Sequence, residues 1–416
     1  MIFQYIFIIL CCAIIITLAI IKIKYPFWNN QPVFHTYDYI RTLYKQPFIV
    51  HSNGPYKTKF IDQSNIKTKA LTDDIDPIIG KITDLLQCHY MTNETIDHII
   101  KPQDIYAILS GHGEPSFVSI YTLPEYILKP NSSNDGVEIE NKYKRIGCVT
   151  SRCVNMYIRP TKTETVYNGN KVYFMDYLCT HREQDTKKIS RSLIQTHEYN
   201  QRLINKNVQI SLLKKEGELF TGIRPLITYE THSYALSNLQ IPRMESTYTV
   251  ELLKSGSMDS YLNYFLINGG FEQKTTMYDL LVLPDIGNIM AQIKQKLLYI
   301  ACLRHGPDIL GFYFMKDIKR HYDDTESQTL SIIGSAQNCK DNRLFYIGFM
   351  HALRQVIHTN PDYKILNIEN IGHNQTITSY WNAVNRPISV TSAAYYSYNY
   401  IYPCSPIDIY RCLILL

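Results

Sequence analysis

The sequence predicts an α/β protein whose structural unit is duplicated on one mixed sheet, behind a single apolar N-terminal helix. Three observations predict it. The chain opens on a charge-free apolar run. Residues 171–180 form a near-continuous apolar run of strand length, as a buried central strand does. The order strand, strand, helix, strand then recurs in each half of the chain.

Length and charge bound what such a protein does. At 416 residues the chain suits about two to three units of ordinary domain size. With 42 Lys+Arg against 37 Asp+Glu, the net charge of +5 is too small over this length to argue for a nucleic-acid partner. The 10 Cys are too sparse for a disulfide scaffold, and no pair among the 13 His has metal-ligand spacing, so no metal site is expected. The 34 Tyr, with many Ile, Lys and Asn, point to an AT-rich coding sequence such as that of a parasite or a large DNA virus.

Taken in order, Met1 to Ile21 carries no charge before Lys22, and about twenty apolar residues span a bilayer core. A cleaved signal peptide is the competing assignment; no Lys or Arg precedes the run and no small-x-small site follows it, which favours a retained anchor over residues 1–24. Lys22 and Lys24 on its C-terminal flank place the rest in the cytoplasm by the positive-inside tendency. The sequons at Asn93, Asn131 and Asn374 are read as chance triplets in an Asn-rich chain.

Residues 25–72 show no sustained period and are an extended arm or a tether. From Asp76, Ile78, Ile79, Ile82, Leu85 and Leu86 repeat at helical spacing, and Ile99–Leu109 is a second short helix. Pro115–Thr122 is a strand, broken at Pro124 and again over 131–136. Arg145–Ser151 and Val154–Ile158 are expected as neighbouring strands. After the central strand, Ile189, Leu193, Ile194, His197 and Ile204 share one side of a helix. The second half gives strands at 308–314, 330–333, 364–368 and 393–402, with a helix over 344–357. The halves are assigned to 73–240 and 241–416.

A central strand that ends in a polar loop and opens a helix can seat a phosphate on the helix's free N–H groups. His181, Arg182, Lys187, Lys188 and Arg191 surround this junction; taken alone, such a cluster is more often a plain solvated basic surface.

The same segment carries a resemblance. Tyr177-Leu-Cys-Thr-His-Arg182, then Thr186-Lys-Lys188 and Leu193-Ile194, resembles the acyl-CoA-binding segment F-L-C-V-H-K-K-L-R-S-K-R of eukaryotic N-myristoyltransferases. Tyr25-Pro-Phe-Trp-Asn-Asn-Gln-Pro-Val33 is similar to that family's F-W-x-x-Q-P-V element beside the CoA site. Leu366-Asn-Ile-Glu-Asn-Ile-Gly-His-Asn374 is similar to its F-N-A-L-D-L-M-E-N turn, and Tyr395-Tyr-Ser-Tyr-Asn-Tyr400 to its Y-Y-L-Y-N-W strand.

The resemblance implies two GNAT-like halves, the first holding acyl-CoA and the second most of a peptide groove. It implies transfer of a myristoyl-like acyl group from acyl-CoA, a co-substrate and not a resident cofactor, to an N-terminal glycine amine. The backbone amides of Tyr177 and Leu178 would form the oxyanion hole, which needs a kink or bulge in the strand. His181, Arg182, Lys187 and Lys188 would hold the CoA phosphates, with Phe27 and Trp28 alongside. The base would be the α-carboxylate of Leu416, carried inward by the apolar end Cys412-Leu-Ile-Leu-Leu416; a carboxylate reaching solvent is the alternative.

Four departures from the family pattern matter. Asp176 stands where the family has Asn, placing a second carboxylate beside Leu416. Lys215-Glu216-Gly217 stands near the family's T-x-G, so a Lys215–Asp176 pair would fill the amine's place. Asp185 replaces a phosphate-facing Arg and is as well an N-cap. The acidic peptide entrance shrinks to Asn93, Glu94 and Asp97. The expected partners are acyl-CoA, a glycine-ended peptide and a membrane. The alternatives are a silent relative that binds a lipidated or glycine-ended partner, and a structural membrane or virion protein.

Overall fold

The computed structural model describes residues 2–71, 77–91, 96–130, 137–159, 168–237, 239–265, 277–322 and 327–416. Asp76, Asn93, Glu94 and the sequon at Asn131 lie outside them. In chain order the strands are β1 (Phe48–Ile49), β2 (Ile66–Ala70), β3 (Ile96–His98), β4 (Phe117–Pro130), β5 (Val137–Ile158), β6 (Asn168–Thr180), β7 (Ile210–Glu216), β8 (Ile227–Ala235), β9 (Tyr248–Leu252), β10 (Leu280–Leu283), β11 (Leu298–His305), β12 (Asp308–Tyr322), β13 (Ser327–Gln337), β14 (Tyr363–Glu369), β15 (Ser389–Tyr398), β16 (Tyr400–Ile401) and β17 (Cys412–Ile414).

The N-terminal apolar run is one helix, Ile2–Lys24, with no buried residue. Among the described residues it is the one helix long and apolar enough to cross a membrane. It runs straight into the arm: the Tyr25 N–H donates to Ile21 O at 2.9 Å and the Asn29 N–H to Tyr25 O at 3.0 Å. Phe27 and Val33 are buried. The Tyr25 ring lies over Gly222, where φ is +85° and a Cβ would stand 2.5 Å from that ring. Later in the arm, β2 pairs with β4 and β1 with β16.

Fifteen strands form one mixed sheet. Most neighbours are antiparallel; β6/β7, β13/β14 and β10/β17 are parallel. The duplication is explicit in the pairing. The hairpin β5–β6 is followed by helix Thr186–Ile204 and then β7; the hairpin β12–β13 is followed by helix Asn342–Thr359 and then β14. In both halves the second hairpin strand carries an extra residue. The register slips between Cys148 and Thr150 opposite β6, and between Phe314 and Met315 opposite β13. The parallel pairing stops at the same point, at Met175↔Leu213 and at Ile332↔Ile368. Each unit is therefore a bulged strand that parts from its parallel neighbour, a GNAT-like arrangement.

The two partings differ in what fills them. In the second half, Leu413 and Leu415 of the C-terminal segment pack on Gly334. The Asn374 side-chain amide bridges Ile332 O at 3.2 Å and Glu369 O at 2.8 Å. Asn374 is thus fully buried and spoken for, consistent with a chance sequon. In the first half the gap is a cavity.

Three local expectations are corrected. Arg145–Ser151 and Val154–Ile158 are not neighbours but parts of one strand, β5. The intervening Arg152, which breaks the apolar pattern, is fully buried with its guanidinium 5.5 Å from the Phe174 ring. Pro124 does not end β4, which pairs with β5 from Phe117 to Pro130. Past Tyr121 its other edge has no partner among the described strands, and an edge accommodates proline. Ile204, placed on the buried side of its helix, is exposed.

Candidate active site

Where β6 and β7 part, a cavity of about 490 Å³ opens. Its apolar lining includes Val149, Met175, Leu178, Ile194 and Leu213. Its polar lining includes a straight row across five strands: Lys316 pairs with Ser331, Ser331 with Asn367, Asn367 with Ser233 and Ser233 with Ser389. The Asn367 Oδ1 and Thr231 Oγ1 atoms are buried without a hydrogen bond.

The bulge falls on the residues the sequence singles out. Tyr177 has φ +49°, uncommon for a bulky residue, and neither Tyr177 nor Leu178 has a register partner on β5. The bulge thereby takes both residues out of the regular register of the ladder. The Tyr177 N–H donates instead to Oδ1 of Asp176 at 2.9 Å. The Thr150 hydroxyl donates to Asp176 O at 3.2 Å and helps hold the turn. The Tyr177 ring packs 5.5 Å from Tyr90 and 6.3 Å from His98. Burial, with Arg320 adding, pushes His98 down to about 4, so it is neutral at pH 7.

Leu416 lines the same cavity. It is buried with Val154, Phe174 and Tyr395 in one apolar cluster. β17 carries it there by pairing parallel to β10, and the Leu415 N–H donates to Val282 O at 2.9 Å. The chain's final apolar residues therefore run into the chamber wall rather than into solvent.

The charged lining is not the Lys215–Asp176 pair considered from the sequence. β7 turns Lys214 to the buried charges. Its Nζ lies 2.7 Å from Glu216 and 2.9 Å from Glu369, and the Tyr229 hydroxyl donates to Glu369 at 2.8 Å. Burial alone would lower the Lys214 ammonium, but Glu216 and Glu369 outweigh it and hold the pKa well above its usual value. Lys215 lines the cavity without an ion pair to Asp176 among the described residues. Two further cations stand nearby. Arg152 donates through Nη1 to Asn288 at 3.3 Å while its Nε and Nη2 make no hydrogen bond. Lys316 is pushed down to about 7 by burial and by Arg152.

The expected CoA contacts divide into two groups. Trp28 packs 4.8 Å from Phe27 and 4.8 Å from Phe220, which itself lines the cavity. The His181 ring lies 4.1 Å from that of His89, another lining residue, tilted at 41° to it. Arg182, Lys187 and Lys188 are exposed at the start of helix Thr186–Ile204. Asp185 is the N-cap of that helix, accepting from the Lys188 N–H at 3.0 Å. An anion here meets basic side chains, with one helix amide already taken. Asp97 is exposed on β3 opposite His321.

Sequence reasoning missed Arg152, Lys214, Lys316 and Glu369. Arg152 is the one charge between Gly147 and Ile158 of β5 and so carries a local signal; Lys214, Lys316 and Glu369 share their strands with other charges (Lys215 and Glu216, Asp317, Lys364) and carry none.

Bulge, parting strands and duplication together define a duplicated GNAT-like acyltransferase fold. Among solved structures, that of Saccharomyces cerevisiae N-myristoyltransferase with bound myristoyl-CoA matches at TM-score 0.66, with 13% identity over 94% of this chain and 95% of that one. A second structure of the yeast enzyme with myristoyl-CoA gives TM-score 0.66 and 10% identity over 94% of this chain and 99% of that one. A third, with myristoyl-CoA and inhibitors, gives 0.66 and 11% over 94% and 96%. At this identity the likeness is one of fold. No family model and no curated protein matches the chain.

Proposed function

We propose that this chain transfers a fatty acyl group, myristoyl-like in length, from acyl-CoA to the amine of an N-terminal glycine at a membrane surface. The observation that carries this is the Tyr177–Leu178 bulge in the wall of a chamber that Leu416 also lines.

In this reaction the thioester carbonyl sits at the bulge, and the Tyr177 and Leu178 amides stabilise the oxyanion that develops on it. The apolar lining from Met175, Leu178, Ile194 and Leu213 takes the acyl chain. Phe27, Trp28, His181, Arg182, Lys187 and Lys188 hold the rest of the donor. The polar row from Lys316 to Ser389 faces the incoming peptide. In a chain that stops at Leu416, its carboxylate lies beside the reacting amine and is one candidate base, with Asp176 a second carboxylate near it. Helix Ile2–Lys24 is the anchor, and Lys22 and Lys24 favour a cytoplasmic catalytic domain. Donor and product both partition to membranes, which suits an anchored enzyme.

A catalytically silent relative that binds a lipidated or glycine-ended partner is the alternative. The Asp176 carboxylate on the Tyr177 amide favours it, because an anion already fills half of the oxyanion site.

Incubation of the protein with myristoyl-CoA and a glycine-ended peptide tests the proposal by the acylated peptide mass. Saturable acyl-CoA binding without product selects the silent binder. Absence of both leaves a purely structural membrane protein.

A further inference from the structure

We propose that Lys316 is the catalytic base of this chamber, taking the proton from the attacking amine. This rests on the acyl-transfer function proposed above.

Lys316 sits on β12 between Leu298 of β11 and Ser331 of β13. It lines the cavity together with Tyr177, Leu178 and Leu416. Lys316 and Leu416 also meet around a small void with Gln292 and Phe314, so they share one wall. The neighbouring lysines are neutralised: Lys214 and Lys319 each hold a carboxylate at 2.9 Å. Among the described residues Lys316 has no hydrogen bond or ion pair through its amine. Lys316 is half-buried; an unpaired ammonium is costly where bulk water is scarce, and a lysine lowers that cost by shedding its proton.

The charges that face Lys316 come from every wall. Arg152 of β5 and Lys214 of β7 oppose its protonation; Asp176 of β6 and Glu369 of β14 favour it. Burial is the largest influence, and the balance leaves the amine at about 7. A glycine α-ammonium titrates at about 8 and a free α-carboxylate at about 3.5, so the carboxylate is mismatched by several pH units whereas Lys316 is nearly matched. Arg152, buried and with two guanidinium nitrogens unpartnered, would hold any nearby carboxylate ionised and make it a weaker base still.

The step balances as follows. The glycine ammonium gives one proton to the free lone pair on Lys316 Nζ. The neutral amine attacks the thioester carbon, forming the C–N bond and an oxyanion at the Tyr177 and Leu178 amides. Collapse breaks the C–S bond, and the second amine proton goes to the departing thiolate. Lys316 then returns its proton to water.

The test is made on the full chain in detergent or lipid, with myristoyl-CoA and a glycine-ended peptide. The wild type should show an acid limb in kcat with a midpoint near 7. Lys316→Met and Lys316→Arg should lower kcat about a hundredfold and abolish that limb, with the KM for myristoyl-CoA within about twofold. Ethylamine should restore part of the rate to Lys316→Ala. Independently of activity, the Lys316 side-chain NMR shift should titrate near 7; a midpoint near the ordinary lysine value of about 10.4 overturns the proposal. An active wild type whose Lys316→Met variant keeps its rate and acid limb removes Lys316 alone. A wild type that makes no acylated peptide removes acyl transfer, and the base with it.

Discussion

The backbone N–H of Tyr177 donates to Oδ1 of the residue before it, Asp176, at 2.9 Å. The Tyr177 amide at the bulge is thus held by a carboxylate, and in the proposed reaction this amide is one of the two that meet the developing negative charge. A hydrogen bond to an ionised acceptor is about twice as strong as a neutral one. Asp176→Asn keeps an acceptor but removes the charge, so the amide is easier to recruit. Acyl transfer should rise about tenfold, or ~1.4 kcal/mol of barrier, read as product mass against time. An unchanged rate would mean that the Tyr177 amide takes no part.

Lys214 is the counter-ion of two carboxylates, Glu216 and Glu369, in a partly buried cluster. Lys214→Met leaves both unpaired and should lower stability by about 3 kcal/mol, since removing one partner of a buried pair strands the other. Lys214→Met/Glu369→Gln should recover part of that loss. Urea midpoints for the single and double variants decide it; equal losses would show that Glu369 is satisfied by Tyr229 alone.

Helix Thr186–Ile204 carries two buried titrating neighbours with opposite signs. His197 lies between Ser119 and Ser151, each at 2.8 Å. Burial pushes it down to about 3. The folded state therefore refuses a proton that the unfolded chain accepts, and this contribution is fully present above about 6.5 and lost as pH falls toward 3. Glu198 is pushed up to about 7 by burial, against the pull of Arg202; its contribution is present below about 4.5 and lost as pH rises toward 7. The gap in unfolding free energy between wild type and His197→Gln should thus close between pH 6.5 and 3. A gap that does not change with pH would contradict the neutral, buried His197.

Trp28 is one of two tryptophans, and its ring touches Phe220 of the chamber wall. The other, Trp381, is buried in the core of the second half. Trp28→Ala should weaken myristoyl-CoA binding about tenfold by loss of aromatic packing, measured by calorimetry. In the wild type, binding should change the Trp28 emission and leave that of Trp381 alone.

The elements that could be read from the sequence are those whose side chains repeat with one period on one face. Helix Thr186–Ile204, strand β6 and the paired organisation of the halves are of this kind. β5 could not be, because Arg152 interrupts its apolar run and its burial depends on Phe174 two positions from Asp176 on the next strand. Of the candidate site, the bulge at Tyr177 and Leu178 and the inward course of the chain to Leu416 were legible. It was opaque where a charge is paired by neighbours far away in sequence. Lys214 and Glu369 meet across 155 positions, and no local pattern reports that. The register of β7, which decides between Lys214 and Lys215, is set by Met175 and Tyr395 on its two flanking strands.

Helix Ile2–Lys24 is tied to the turn that bears Trp28 by two backbone bonds, from the Tyr25 N–H to Ile21 O and from the Asn29 N–H to Tyr25 O. If that helix spans a bilayer, Trp28 lies four residues past its end. A body hung on a floppy leash sweeps a hemisphere; one set on a stiff post shows every passing lipid the same face. A donor dissolved by its tail in that leaflet would then reach the slot by sliding sideways, and delivery would follow its density per area of membrane instead of its concentration in water.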